Sequence, residues 1–384
     1  MLHTKIRIFM HITHHVFIAI IFFSNILYSS EKPAYKSELF QSLKPSVEFE
    51  KAESVKKIPI IYSPNYDISF FYLEKLHLFD TCKYSKVFNT LAKKCNFTQK
   101  NCFGPRKPVS DEDLRKVHSK EYLASINGWV SSSATARIAE MPPLAFIPNV
   151  LLCKKLLHPM RLATQGTIIG IEKAFKHGWA INLSGGYHHA KHGNGEGFCF
   201  FADIPLAIVK MRKNAEHANK KVLIVDLDAH HGNGHVDCCK DDELTIIFDV
   251  YNKDAYPVRH VSNPKKDIQD VAYNYPIVSY TNDEAYLNIV KKNLPKAIEE
   301  TNPNLIIYNA GTDILKGDRV GGLSVSREGI VERDRLVFQY AKEKEIPILM
   351  TLSGGYTQES ASIIAESIEK VHGDAIKAIL ENKK

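Results

Sequence analysis

The sequence lacks several features that would have settled its class at once. Its seven cysteines, Cys82, Cys95, Cys102, Cys153, Cys199, Cys238 and Cys239, form no CxxC pair, and their number is odd. A zinc-finger or disulfide framework is therefore not expected; reduced thiols in a packed interior or on the surface are. The net charge of +7 comes without a Lys/Arg block and without a basic stripe interleaved with aromatics. Direct nucleic-acid binding is not expected from such a distribution. The glycines of GNGEG (residues 193–197) fit neither GxGxxG nor GxxxxGK[ST], and there is no GxSxG. Nucleotide binding and serine-hydrolase chemistry are set aside on those grounds. No internal repeat or low-complexity tract occurs, and beyond the first thirty residues no run is long and apolar enough to cross a membrane.

What is present is an ordinary globular composition. The chain has 384 residues, 44% hydrophobic and 24% charged, enough for one large α/β domain or two smaller ones. Residues 1–30 stand apart. They contain Lys5 and Arg7 but no Asp or Glu, and Val16–Leu27 is almost wholly apolar before the small Ser29 and Ser30. We read residues 1–30 as a signal-like or anchoring segment through which the chain could contact a membrane. Residues 31–57 read as a polar linker, and 58–384 as a single domain.

From Ile58 onward strands and helices alternate. Strands are expected at Ile58–Tyr62, Trp179–Leu183, Val222–Asp226, Leu244–Phe248, Leu305–Tyr308 and Ile346–Thr351. Helices are expected at Leu162–Lys176, Pro205–Asn219, Asp283–Glu300, Arg327–Lys344 and Gln358–Leu380. Such alternation argues for a parallel sheet with helices on both faces. Residues 130–160, with Pro142, Pro143 and Pro148, read as a long loop.

Ligands of an open parallel sheet bind at the carboxyl ends of its strands. Four of the expected strands end in glycines and reactive side chains. SGGYHH brings His188 and His189, DLDAHHGNG brings Asp226, Asp228 and His230, NAGTD brings Asp313, and SGGY brings Tyr356. Asp226, Asp228 and His230 alternate, so an extended segment would point all three into one site. Asp228 and His230, with Asp313 from another strand end, would complete a three-ligand set of the catalytic zinc kind, which manganese or ferrous iron would also accept. An ion-pair network is the alternative, but no Arg or Lys lies nearby in sequence to neutralise the carboxylates. Opposite a bound metal, His188 or His189 could move a proton, oriented by Asp226 or Asn233. Tyr356 could donate a hydrogen bond to a substrate carbonyl.

Together these stretches resemble the zinc-dependent histone deacetylases. HHA with GFC, DLDAHHGNG, NAGTD with GDRVGGLS, and SGGY carry the resemblance. IPIIYSPNYDI, LEKLH, RIAEMPPLAFIPN, GWAINLSGGYHH and FDVYN bring it closer to the class IV branch. The resemblance covers roughly residues 58–370. It implies a single-domain arginase–deacetylase fold with a mostly parallel eight-stranded sheet, and hydrolysis of N-ε-acyl-lysine in histones or other proteins.

It also implies roles. Asp228, His230 and Asp313 would bind one Zn2+. His189 would be the general base and acid, with His188 as its electrostatic partner. Asp226 and Asn233 would orient His188 and His189 respectively. Tyr356 would polarise the acyl carbonyl. Phe198 and Tyr256 would wall the acyl-lysine tunnel, beside the backbone amides around Gly197. Asn233 departs from the Asp usual in class I. Phe248 stands where many members carry a Ser that helps hold a potassium ion, which leaves a structural K+ with little support. Val320 replaces a larger pocket residue, so the enzyme is expected to remove long fatty acyl groups as well as, or better than, acetyl. A polyamine deacetylase, an arginase-like ureohydrolase with two metals, and a non-catalytic acyl-lysine binder are the alternatives. The resemblance implies nucleus or cytoplasm, cysteines without a framework favour a reducing compartment, and the N-terminus points to membrane association or secretion.

Overall fold

The computed structural model describes residues 55–69, 79–128, 131–257 and 271–381. The signal-like segment 1–30 and all but the end of the linker lie outside the described residues. The described residues fall within one compact unit, Ser54–Lys384.

Seven strands form one sheet: β1 (Ile60–Ile61), β2 (Trp179–Asn182), β3 (Val222–Asp226), β4 (Thr245–Asn252), β5 (Tyr273–Ile277), β6 (Leu305–Asn309) and β7 (Ile348–Thr351). Their order is β1-β2-β7-β6-β3-β4-β5, and every pair is parallel. Among the described residues the sheet thus has seven strands where eight were expected, and beyond β1 they hold a parallel bridge between Ile61 and Phe103.

The central strands are continuous apolar runs because both their faces are covered. Val222 and Ile224 of β3, with Leu305 and Ile307 of β6, pack into one core. Leu223, Val225, Ile306 and Tyr308 pack into the other. Helices α1 (Lys83–Cys95), α2 (Lys120–Asn127), α3 (Ser132–Ile138), α4 (His158–His177), α5 (Asp203–Met211), α6 (Asn233–Cys239), α7 (Asp283–Thr301), α8 (Arg327–Glu343) and α9 (Ser360–Glu381) complete the layers. On one face α4 supplies Ile171 and Ala174, and α5 supplies Ile204, Ile208 and Met211. On the other, α1 supplies Val87 and Leu91, and α9 supplies Ile364 and Ile368. Local chemistry fixes the helix ends. Asn282 caps α7 by accepting the Ala285 N–H, and Ser326 caps α8 by accepting the Gly329 N–H. The left-handed Gly178 ends α4 and starts β2.

Two expectations fail here. Strand β5, YNYPI, was not anticipated. Among the described residues it pairs with β4 alone, so Pro276, which cannot donate to a ladder, is tolerated at the sheet edge. Residues 130–160 are not a long loop. They hold α3, a 3₁₀ turn at Pro142–Phe146, a helical turn at Asn149–Leu152 and a π-helical turn at Cys153–Leu157 that runs directly into α4. The prolines sit at the starts of turns, where a missing N–H costs nothing.

Candidate active site

The strands that carry reactive ends are β2, β7, β6 and β3, four consecutive neighbours at the centre of the sheet. Their carboxyl-end loops therefore meet. The loop after β3 brings Asp228 and His230, and the loop after β6 brings Asp313. Ligand atoms of these three buried residues lie within 4.8 Å of one another. His230 Nδ1 is 3.0 Å from Asp228 Oδ1 and 3.0 Å from Asp313 Oδ2. On its far side His230 Nε2 lies 3.2 Å from the Val320 carbonyl. A carbonyl only accepts, so Nε2 carries a proton and Nδ1 is the nitrogen turned to the two carboxylates, or to a cation between them. Fixing the tautomer through the outer nitrogen is the usual preparation of a metal-binding imidazole.

Three observations test whether a cation fits. First, the buried Asp228 Oδ1 and Asp313 Oδ2 converge on one atom, His230 Nδ1, each at 3.0 Å, so two carboxylates share one partner, which is costly unless a cation joins them. Second, a Cβ on Gly354 would collide with the Asp228 and Asp313 carboxylates, so the space between them is kept clear. Third, the titration is skewed. Burial and the neighbouring Asp228 push Asp313 up to about 7. Asp228 goes the other way: His188 and His230 overcome its burial and hold it well below the usual carboxylate range. Burial works against a charged His230, yet Asp228 and Asp313 outweigh it and raise its pKa well above 6.5. Two carboxylates and an imidazole around one point hold protons that a divalent cation would displace. The donor set fits zinc.

Asp228 is held rigidly. Its Oδ2 accepts from Ser353 Oγ at 2.8 Å and from the Gly354 N–H at 2.9 Å. Asp313 Oδ1 accepts the Ala229 N–H at 2.9 Å. His188 and His189 follow β2, in a loop anchored by the buried Asp203 at the start of α5. The carboxylate of Asp203 accepts the Gly186 N–H at 3.0 Å and the Tyr187 N–H at 2.9 Å. Gly186 has φ +84°, and a Cβ there would run into Asn309 and Ser353.

The two histidines are oriented as the resemblance implied. His188 Nδ1 lies 3.0 Å from Asp226 Oδ2, and His189 Nδ1 lies 2.8 Å from Asn233 Oδ1. Their environments push them apart. Burial alone would lower His188, but Asp226 and Asp228 raise it to about 9. Burial, and then the nearby His188 and His230, drive His189 well below 6.5. His189 is thus the neutral member. Because Asn233 Nδ2 donates to Glu196 Oε1 at 2.6 Å, its oxygen must face His189. The His189 proton then sits on Nδ1 and the Nε2 lone pair is free.

Tyr356 follows β7, and its N–H donates to Asp318 at 2.8 Å. Its ring lies 6.2 Å from that of His230 and 5.9 Å from that of Phe198. Burial, then Asp313 and Asp228, raise its phenol pKa well above 10, so it is a donor. Phe198 sits in the left-handed region at φ +66°, a strained conformation of the kind found at functional positions. Gly197 lies against His189 so closely that a Cβ would clash with the ring. Tyr256 meets that ring edge-on, with centroids 5.0 Å apart.

Val320 meets the site through its carbonyl, which faces His230. The cleft, about 870 Å³ including its solvent-open part, joins His188, His189, Asp228 and Tyr356 to an apolar chamber. Ala139, Met141, Leu144, Leu152, Leu156 and Met160 form that chamber. All come from the stretch read as a loop.

Sequence reading also missed the supports. Asn309, inside NAGTD, donates to Asp226 Oδ1 at 3.0 Å, and Ser353, inside SGGY, holds Asp228; both were within quoted motifs. Glu196 lies inside GNGEG but nothing there marked it as a support, and Asp203, Lys83 and Arg333 carried no local signal. Lys83, fully buried at the start of α1, donates to the Ser353 carbonyl at 2.5 Å and the Gly354 carbonyl at 3.1 Å. Arg333 of α8 donates to the Leu227 carbonyl at 3.0 Å and the Gly311 carbonyl at 2.6 Å. It ties together the loops that carry Asp228 and Asp313. The cations that looked absent from the neighbourhood thus arrive from distant parts of the chain.

Comparison with known proteins agrees with this geometry. Residues 77–371 match the family described as "Histone deacetylase domain". Histone deacetylase 2 of Arabidopsis thaliana is 42% identical over 321 residues, 83% of this chain and 79% of that protein. Histone deacetylase 1 of Homo sapiens is 26% identical over 310 residues, 78% of this chain and 61% of that protein. Among solved structures, the crystal structure of the HDA15 HD domain superposes with a TM-score of 0.64 at 18% identity, over 85% of this chain and 95% of that one. That likeness supports the arginase–deacetylase fold.

Proposed function

This chain belongs to the histone deacetylase family and is a hydrolase of acyl-lysine amides; from that premise we propose that it works with one zinc ion, is of the class IV kind, and removes long fatty acyl groups as well as or better than acetyl. The observation that carries the metal reading is the buried Asp228–His230–Asp313 group, with the outer nitrogen of His230 held by the Val320 carbonyl and both carboxylates converging on the inner one. The chain-length reading rests on the apolar chamber that shares the cleft with His189 and Tyr356.

Asp228, His230 and Asp313 would hold the zinc, which when bound supplies Lewis acidity to a water and to the acyl carbonyl. The rest is the work of the chain's own side chains. Neutral His189 takes the proton of the attacking water at Nε2 and later gives it to the lysine amine as that amine leaves. Asn233 keeps the Nδ1 proton in place while this happens. His188, cationic against Asp226, stabilises the negative charge that develops beside it. Tyr356 donates its phenol proton in a hydrogen bond to the acyl oxygen, a bond that tightens as the oxygen gains charge. Gly197, Phe198 and Tyr256 flank the lysine stem.

Acetylated proteins, histones among them, are the proposed substrates. We place the enzyme inside the cell, in nucleus or cytoplasm, with residues 1–30 able to hold it at a membrane. A ureohydrolase would need a second metal and more carboxylates, but the neighbouring Asp226 is engaged by His188 and Asn309. Turnover of acetyl-lysine and myristoyl-lysine peptides, with metal analysis and with and without a chelator, tests the proposal. About one zinc per chain, loss of turnover on chelation, and myristoyl turnover at least equal to acetyl are expected. Two metals per chain, or chelator-resistant turnover, would overturn the zinc reading; a clear preference for acetyl would overturn the chain-length reading alone.

A further inference from the structure

The helix that walls the acyl chamber also carries an exposed apolar patch on its other side. From Asn149 the chain is helical through the π turn and into α4. Leu152, Leu156 and Met160 recur every four residues and face the chamber. Val150 and Leu151 lie on the opposite side and are exposed, Val150 to 73%, and Phe146 in the preceding 3₁₀ turn is exposed to 87%. Lys154 and His158 continue the line of Val150 at four-residue spacing, and Lys155 continues that of Leu151; all three are exposed. Large apolar side chains leading, with lysines one turn behind, is the layout of a helix that dips into a bilayer interface.

We propose that Phe146, Val150 and Leu151, with Lys154 and Lys155, form a docking surface for an anionic lipid bilayer. Charge complementarity argues for this occupant: the lysines adjoin the apolar residues, no acidic residue occurs between Met141 and Leu162, and the chain carries +7 overall. The same sequence holds the apolar run Val16–Leu27, so a second, weaker contact here would fit a two-signal attachment, which single weak anchors require. The surface stands on exposure and charge alone. Only its use, presenting an acyl chain to a chamber one helix away, rests on the deacylase reading.

The test is vesicle co-sedimentation of the full chain, using phosphatidylcholine vesicles with and without phosphatidylserine. Phe146→Ser/Val150→Ser and Lys154→Glu/Lys155→Glu are compared with the wild type, and turnover of a soluble acyl-lysine peptide is measured alongside. Binding should favour vesicles containing phosphatidylserine. It should fall by about tenfold or more in each double variant, with soluble-peptide turnover unchanged. Variants that bind like the wild type would overturn the proposal and assign attachment to another segment, such as residues 1–30. A wild type that ignores both vesicles would also overturn it. So would a wild-type dimer, seen by sedimentation velocity, that dissociates in Phe146→Ser/Val150→Ser, since the patch would then belong to a second copy. Failure of vesicle binding with intact peptide turnover leaves the deacylase reading standing; absent turnover in the wild type would count against that reading instead.

Discussion

At the scale of single residues, the site gives two adjacent histidines different charge states, one cationic and one neutral. His188 is raised to about 9 against burial by Asp226 and Asp228, while burial and its charged neighbours keep His189 neutral. Asn233 fits this arrangement, because an amide orients His189 without adding charge. Its orientation depends on Glu196. Replacing Glu196 by Ala frees the amide to turn over, and kcat should fall roughly 10–100-fold, the usual effect of losing an outer support. Asn233→Asp should instead move the acidic limb of the pH–rate profile upward, since a carboxylate favours the charged imidazole; an unmoved limb would separate His189 from the titrating group. Tyr356→Phe removes a donor worth about 2.7–4 kcal/mol of barrier, so turnover should drop about 10²–10³-fold. Metal content should stay that of the wild type; a variant that stays active would favour a binding protein over a catalyst.

At the scale of elements, Met141, Leu144, Leu152, Leu156 and Met160 of the stretch 139–160 line the part of the cleft that a long acyl chain would fill under the proposed function. Leu156→Trp fills the chamber, and myristoyl-lysine turnover should fall about tenfold or more with acetyl-lysine turnover kept. Equal losses on both substrates would show that the chamber does not hold the acyl chain. This stretch was legible as RIAEMPPLAFIPN but not as structure, because prolines that start turns look the same in sequence as prolines that break helices. Arg333 shows the converse case. Nothing around it in α8 marks it, yet it is buried against Asp334 and joins the loops after β3 and β6. Arg333→Met leaves Asp334 and two carbonyls without that partner, and should cost about 3–5 kcal/mol in urea unfolding. A smaller loss would mean the loops hold themselves together.

At the scale of the whole molecule, two buried histidines outside the site contribute to the loss of stability in acid. His372, stacked on Trp179 with ring centroids 4.0 Å apart, is lowered to about 3 by burial and then by Lys342. His118 is lowered to about 4, chiefly by burial. Its Nε2 accepts the Ala202 N–H at 2.9 Å, so gaining a proton there breaks that bond. Both stay neutral when folded and take up a proton near 6.5 once unfolded. Their contribution is therefore complete above about pH 6.5 and is lost as pH falls toward 4, at about 1.4 kcal/mol per pH unit for each. Urea midpoints measured from pH 7 to 4.5 should show this slope, made shallower in His372→Phe. An identical slope in the variant would place the acid sensitivity elsewhere.

The sequence by itself determined the alternating architecture and the four glycine-bearing strand ends. Those features are local, written in hydrophobic runs and in residues a few positions apart. Only the tertiary structure decided the strand order that makes β2, β7, β6 and β3 neighbours, the edge strand with its proline, and the chamber beside the catalytic loops. It also decided that Lys83, Asp203, Glu196 and Arg333 brace the site. These depend on groups brought together from distant parts of the chain by burial of the two cores, and the amino-acid order around each of them carries no trace of its partner.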